Sequence, residues 1–235
     1  MTKQFTSVWT REPRQPKTAG LRREQIVTAA VELLDAEGME ALSMRKLGAK
    51  LGAGATSLYW HVANKDELLE LVLDEIWGLV DTPEPEEASW REVVTTFAYS
   101  LRVTMLAHPW VAPMAVQMPS IGPNSFRLGD RLRRTFIRAG FTGVDNYLAT
   151  STVMSYVLGQ VIPETTADKI FEGGLDPENM MQVMDQVGHD YPEMMEDYRN
   201  TVPTDATVAR AMAFDFGLLC VMDGLEARLR TSRQS

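Results

Sequence analysis

Hydrophobic positions along this chain recur at helical spacing and nowhere settle into strand-like alternation. Over residues 21–37 the apolar positions Ile26, Ala29, Ala30, Leu33 and Leu34 share one face, and Gly38 supplies the stop. Ser43 is placed to cap a helix over 44–51 with Met44, Leu47 and Leu51 inward. Gly52-Ala53-Gly54 permits a sharp turn into a short helix over 55–61. Asn64 caps a fourth helix, from Lys65 to about Val80, with Leu68, Leu69, Val72, Leu73 and Ile76 as its buried stripe. The acidic, proline-bearing stretch 81–87 marks a boundary or bend. Helices follow over 90–107, in a short piece after Pro109 carrying Val111 and Met114, and over 125–139 up to Gly140. Residues 146–162 are apolar on more than one side, so that helix must be covered by the core and by a partner chain. Residues 163–203 are acidic and rich in Gly, Pro and Met, with one or two short helices around 177–187. A last helix over 204–230 places Ala209, Met212, Phe216, Leu219, Cys220 and Leu225 on apolar positions. The fold class expected is all-α.

Composition narrows the class. The chain has 235 residues, 45% hydrophobic and 23% charged, as in globular proteins. No apolar run is long enough to span a bilayer, and the polar start lacks a signal-peptide core, so no membrane is expected. Cys220 is the single cysteine, which excludes an internal disulfide and a cysteine zinc cluster. A cytoplasmic protein without cofactor or metal is expected.

Charge changes the picture more. The formal net charge is -9, yet residues 1–65 carry ten Lys or Arg against six Asp or Glu. Lys3, Arg11, Arg14, Lys17, Arg22 and Arg23 face only Glu12 up to Arg23. A small basic module on an acidic body suits DNA: local potential guides the contact and the body resists indiscriminate adhesion. A solvated tail with incidental charge is the plainer alternative.

The helices over 44–51 and 55–61, joined by a glycine turn, have a helix-turn-helix outline. By itself that outline is a weak signal. The second helix, however, presents Thr56, Ser57, Tyr59, Trp60 and His61, while Leu58 faces inward. Thr56 and Ser57 can donate to phosphate or a base edge, and Tyr59 to phosphate. Trp60 can pack on sugar, and His61 can donate to phosphate, more strongly when protonated. Arg45 can reach a phosphate or a guanine edge. Lys65, at a helix start, favours phosphate twice over, through its charge and the free backbone N–H groups. Lys46 and Lys50 add longer-range attraction or are simply solvated. His61 is equally readable as an ordinary surface histidine, and Tyr59 or Trp60 as partly core.

The run IVTAAVELLDAEGMEALSMRKLGAKLGAGATSLYWHVANKDELLELVLDEI, within 21–76, resembles the DNA-binding domain of the tetracycline-repressor family of bacterial regulators. The match keeps Gly38, LSMRKLGAKLG and LYWHVANKDELL at the family spacing, and LYWHVANK is similar to the tetracycline repressor itself. The resemblance implies a homodimer that binds a palindromic operator and is released by a small molecule. It implies DNA contacts for Arg45, Ser57, Tyr59, Trp60, His61 and Lys65. The repressor's glutamine and proline at the start of the recognition helix are Ala55 and Thr56 here. Ala55 cannot hydrogen-bond a base edge, so the tetracycline operator should be read poorly. The organisation expected is a flexible basic arm over 1–20, a DNA-binding domain over 21–66, and a ligand-binding and dimerisation domain over 67–235. Basic arms of this kind can reach a neighbouring minor groove; Arg11, Arg14 and Lys17 are also readable as charge alone.

The body resembles the family more loosely. Trp77, Phe97, Met105, Trp110, Met114, Met118, Phe126, Tyr147, Met154, Tyr156 and Gln160 are the candidates to line an internal pocket, although plain core accounts for many of them. The tetracycline repressor chelates a magnesium–drug complex through histidines in its body. The position matching the first of these is Asp81, and His108 and His189 form no equivalent set. The effector implied is another aromatic or lipophilic compound. Helices near 146–162 and 204–230, with Gly159, Ala209, Ala213 and Gly217 allowing close approach, would join two copies. No P-loop, dinucleotide glycine pattern, HExxH or serine elbow occurs, so an enzyme is not expected. An activator of the same fold, or a helical interaction protein that has lost DNA binding, stays open.

Overall fold

A computed structural model describes residues 7–11, 21–170, 176–203 and 205–232, and every regular element among them is helical. They divide into two compact units, the first ending at Val161 and the second starting at Ile162. The division by packing therefore falls far beyond residue 66. Among the described residues no helix is long and apolar enough to cross a membrane.

In the first unit, α1 (Arg23–Glu37) buries Ile26, Val27, Ala29, Ala30, Leu33 and Leu34. It ends at Gly38, whose φ of 75° suits glycine and whose N–H closes on the Leu34 carbonyl at 2.8 Å. After a 3₁₀ turn (Met39–Ala41), α2 (Met44–Lys50) starts where the Ser43 hydroxyl accepts the Lys46 N–H. Gly52, with φ 63°, turns the chain into α3 (Ala55–Leu58). This helix is shorter than the 55–61 predicted. The His61 and Val62 N–H groups both bond the Leu58 carbonyl, which tightens residues 59–61 into a turn and returns the chain to Asn64. Asn64 Oδ1 accepts the Glu67 N–H at 2.8 Å and opens α4 (Lys65–Leu79).

Helix α4 packs on α1 and on α7, so it joins the N-terminal helices to the body of this unit. Helix α5 (Trp90–Ala107) opens with a Ser89–Glu92 capping box, and α6 (Val111–Gln117) is short. Helix α7 (Pro123–Ala139) has proline in its first turn and left-handed Gly140 at its end. The acidic stretch before α5 lies against α7: Arg131 pairs with Glu84 and donates to the Thr82 carbonyl, while Arg134 pairs with Glu86 at 2.6 Å. Helix α8 (Gly143–Ile170) begins three residues before its predicted start and buries Ala149, Val153, Val157 and Val161 at four-residue spacing.

In the second unit, α8 continues past Pro163 rather than stopping there. Proline removes one donor from the helical ladder. The Thr165 and Thr166 hydroxyls add bonds to the Ile162 carbonyl, at 3.1 and 2.7 Å. Helix α9 (Pro177–Val187) falls on the short helix expected there, and a 3₁₀ turn (Gly188–Asp190) and α10 (Pro192–Thr201) follow it. Gly188 sits against Met195: a Cβ there would stand 2.7 Å from its sulfur. Helix α11 (Ala206–Ser232) buries Phe214, Leu218, Met222 and Leu229, and leaves Met212, Phe216 and Leu219 exposed.

Candidate nucleic-acid interface and internal cavity

The tip of the N-terminal module is built from α2, α3 and the turn that follows. Leu47 and Leu58 are fully buried and fasten both helices to the core. Thr56 and Ser57 are exposed, and Tyr59 and Trp60 are 43% and 44% exposed. Large aromatics left in solvent beside two hydroxyl residues suit stacking on sugar and donation to phosphate. Arg45 is exposed on α2. Its neighbours are engaged: Lys46 pairs with Glu37, and Lys50 with Glu32 at 2.9 Å. Lys65 is half-buried and its ammonium donates to the Met39 carbonyl at 3.4 Å, beside the start of α4. His61 is half-buried; burial first, and the Arg23 charge second, hold its pKa below the ordinary 6.5.

The underside of this tip is held by α4. Glu67 Oε2 accepts the Ala63 N–H at 2.7 Å and pairs with the Arg11 guanidinium at 3.1 Å. Arg11 also donates to the His61 carbonyl at 2.9 Å. Arg11 is thus turned inward, a correction to its reading as an arm charge for a minor groove. Lys3, Arg14 and Lys17 lie outside the described residues.

A pocket of about 150 Å³, partly open to solvent, lies in the same unit at the far end of α4 from the tip. It is lined by Trp77 of α4, Phe97 of α5, Ser120 of the loop before α7, Ser125, Leu128, Gly129 and Leu132 of α7, and Thr150 and Met154 of α8. The wall is apolar apart from three hydroxyls, and none of its side chains ionises. The Trp77 indole N–H donates to Ser120 Oγ at 3.1 Å. A Cβ built on Gly129 meets nothing within 4 Å, so this glycine keeps the space open.

Of the predicted pocket residues, Trp77, Phe97 and Met154 meet at this wall. Met105, Trp110 and Met114 are core instead, and the Trp110 indole donates to Asp35 of α1 at 2.7 Å. Met118, Tyr156 and Gln160 are half-buried outside the wall. Phe126 and Tyr147 are 65% and 70% exposed, because α7 and α8 turn their opposite faces to the core. The α7 lining residues follow helical spacing, a signal present in the sequence but masked by a serine and a glycine among the leucines. Among the described residues, no three His, Cys, Asp or Glu side chains group as a metal site.

Comparison with known proteins gives the architecture relatives. The family profile described as "Tetracyclin repressor-like, C-terminal domain" matches residues 82–229, and that of the "Bacterial regulatory proteins, tetR family" matches residues 26–72. An HTH-type transcriptional regulator of Saccharopolyspora erythraea is 42% identical over 160 residues, covering 68% of this chain and 68% of that protein. The HTH-type transcriptional repressor DrrR1 of Streptomyces coeruleorubidus is 29% identical over 232 residues, covering 95% of this chain and 83% of the relative. The crystal structure of the Streptomyces coelicolor TetR family protein ActR in complex with actinorhodin matches with a TM-score of 0.76 at 29% identity, over 90% of this chain and 99% of ActR.

Proposed function

The chain belongs to the tetracycline-repressor family of bacterial transcriptional regulators, and from that premise we propose that it acts as a homodimeric repressor, released from a palindromic operator by a small aromatic or lipophilic molecule. It is a ligand-responsive regulator, and the family places it outside the enzymes. The observation that carries the finer reading is α4 itself. One end abuts the exposed Thr56–His61 tip, and Trp77 at the other end lines the cavity.

Operator contact falls to Arg45, Thr56, Ser57, Tyr59, Trp60, His61 and Lys65. ActR was crystallised with actinorhodin, and DrrR1 is a repressor by name. An apolar wall with three hydroxyls suits a related class here: neutral, ring-containing, with a few oxygens to hydrogen-bond. At about 150 Å³ the cavity takes roughly one ring as it stands. A larger effector extends through the open side or displaces α7, the wall that packs on α4. Such a ligand would favour the α4 position that no longer fits successive major grooves.

Two copies are needed to read two half-sites about one helical turn apart. Exposed Met212, Phe216 and Leu219 on α11, and Val144, Tyr147 and Leu148 on α8, supply apolar surface for a second copy near 146–162 and 204–230.

The test is a protection footprint on the DNA flanking the protein's own gene, over several salt concentrations, with a panel of phenols, quinones and fused-ring aromatics. A palindromic footprint, lost on Arg45→Ala and cleared by a panel member, is expected. A single unpaired half-site would overturn the dimer. Absence of any specific site on flanking or random-sequence DNA would overturn operator binding.

A further inference from the structure

Residues Ser7–Arg11 lie before α1 in sequence but bind α4, more than fifty residues later. Their anchors are specific. Glu70 Oε2 accepts the Ser7 hydroxyl at 2.6 Å and the Val8 N–H at 3.3 Å. Ser7 and Val8 are buried with it. Trp9 faces Leu73, Trp77 and the loop 119–122 across a narrow gap. Arg11 ends the segment on the Glu67 carboxylate and the His61 carbonyl.

These partners fall in order along α4. Glu67, Glu70, Asp74 and Trp77 are spaced three, four and three residues apart, so they share one face of the helix. Glu67 holds the recognition turn through Ala63, and Trp77 lines the cavity. The segment spans the distance between them. One guanidinium nitrogen, Arg11 Nη2, bonds both the turn (His61 carbonyl) and the helix (Glu67), while Glu67 Oε2 bonds the turn again. A closed set of charge-assisted bonds of this kind fixes a short backbone stretch more firmly than its own hydrogen bonds do.

We propose that Ser7–Arg11 is an internal strap that sets the position of the recognition turn, with Arg11 as the positioning residue. The proposal rests on the DNA-reading role of the Thr56–His61 tip. Arg11 acts through the turn and does not touch DNA. A cation aimed at phosphate and a cation aimed at His61 make opposite predictions, which the experiment separates.

The experiment uses the full chain as wild type, Arg11→Gln and Ser7→Ala. Amide hydrogen exchange is followed without DNA, and duplexes selected by the wild type from a random pool are then titrated at several salt concentrations. In Arg11→Gln the Val62 and Ala63 amides should exchange at least about tenfold faster, while those of α4 around Val72 keep their rate. Affinity for the selected duplex should drop about tenfold with an unchanged salt slope, and affinity for random DNA should hold. Ser7→Ala should move both readouts in the same direction by less. Unchanged exchange at Val62 and Ala63 overturns the strap, and a uniform rise across α4 reduces it to general stabilisation and overturns positioning. A salt slope lowered by about one phosphate contact makes Arg11 a direct DNA contact, which also overturns it. If the wild type selects no duplex, the operator reading falls, and exchange alone still decides the strap.

Discussion

Asp74 Oδ1 accepts the backbone N–H of Ser125 at 3.0 Å, so a carboxylate on α4 caps the first turn of α7. Its Oδ2 takes the Asn124 N–H at 3.1 Å, and the Asn124 amide returns to the Asp74 carbonyl at 3.0 Å. The carboxylate is 4% exposed and sits where α7 presents unsatisfied donors and its positive end. Gly122 makes the approach possible, since a Cβ there would stand 2.2 Å from Asp74 Cγ. The helix of the pocket wall and the helix beneath the Thr56–His61 tip are thereby locked together.

Removing that lock should cost stability and signalling. Asp74→Ala leaves two part-buried N–H groups without their acceptor, a loss of about 2 kcal/mol. Thermal unfolding should show a melting temperature lower by several degrees. In footprint titrations the variant should need more effector than the wild type to leave the operator. Equal effector sensitivity in a folded Asp74→Ala protein would place the coupling elsewhere.

Gly129 offers a cleaner handle on the cavity. Gly129→Ala should raise stability by up to about 1 kcal/mol, because a glycine inside a helix is replaced where the new methyl meets open space. Gly129→Leu should fill the cavity and give a repressor that binds DNA normally but resists release. Isothermal titration with an active panel compound reads the lost binding directly. Normal release by Gly129→Leu would disqualify this cavity as the effector site.

Operator binding should depend on pH through His61. Its folded pKa lies below 6.5, so the folded protein binds this proton less readily than the unfolded chain does. The group therefore subtracts stability as pH falls through 6.5 and is neutral in effect above it. A phosphate placed beside the ring would reverse the preference, so DNA binding should take up a proton. Operator affinity should strengthen as pH is lowered from about 8 to about 6, and His61→Gln should flatten that rise. An identical pH profile in the variant would remove His61 from the interface.

Phe216 tests the pairing of chains. It is 72% exposed on α11, between exposed Met212 and Leu219. Phe216→Glu should shift sedimentation from dimer to monomer and weaken operator binding by more than about a hundredfold, since only one half-site is then held. A dimer that survives the charge places the interface on another face.

Much of the helical order was legible because its signals are local. Ser43 and Asn64 cap the helices they precede, and Gly38 and Gly140 end theirs with positive φ. What escaped depends on contacts distant in sequence. The end of α3 is set by where the chain must meet Asn64, and no residue from 59 to 61 announces it. Phe126 and Tyr147 looked like pocket residues because aromatic character shows and facing does not. Trp77, Phe97 and Met154, singled out for the same apolar character, do line the pocket. The capture of Arg11 by His61 and Glu67 bridges fifty residues, and read along the chain Arg11 is one more basic residue in a basic run.

The pairing of Lys46 with Glu37 and of Lys50 with Glu32 bears on how the protein travels over a genome. Each of these ammonium groups is already matched before a duplex arrives. A cation so matched displaces few counterions from DNA and adds little to the grip on an arbitrary sequence. Residence on random sites should be correspondingly brief. Recognition should then depend on shape and hydrogen bonds at the tip more than on bulk attraction. A protein of net charge -9 built this way should find its site by leaving the wrong ones quickly.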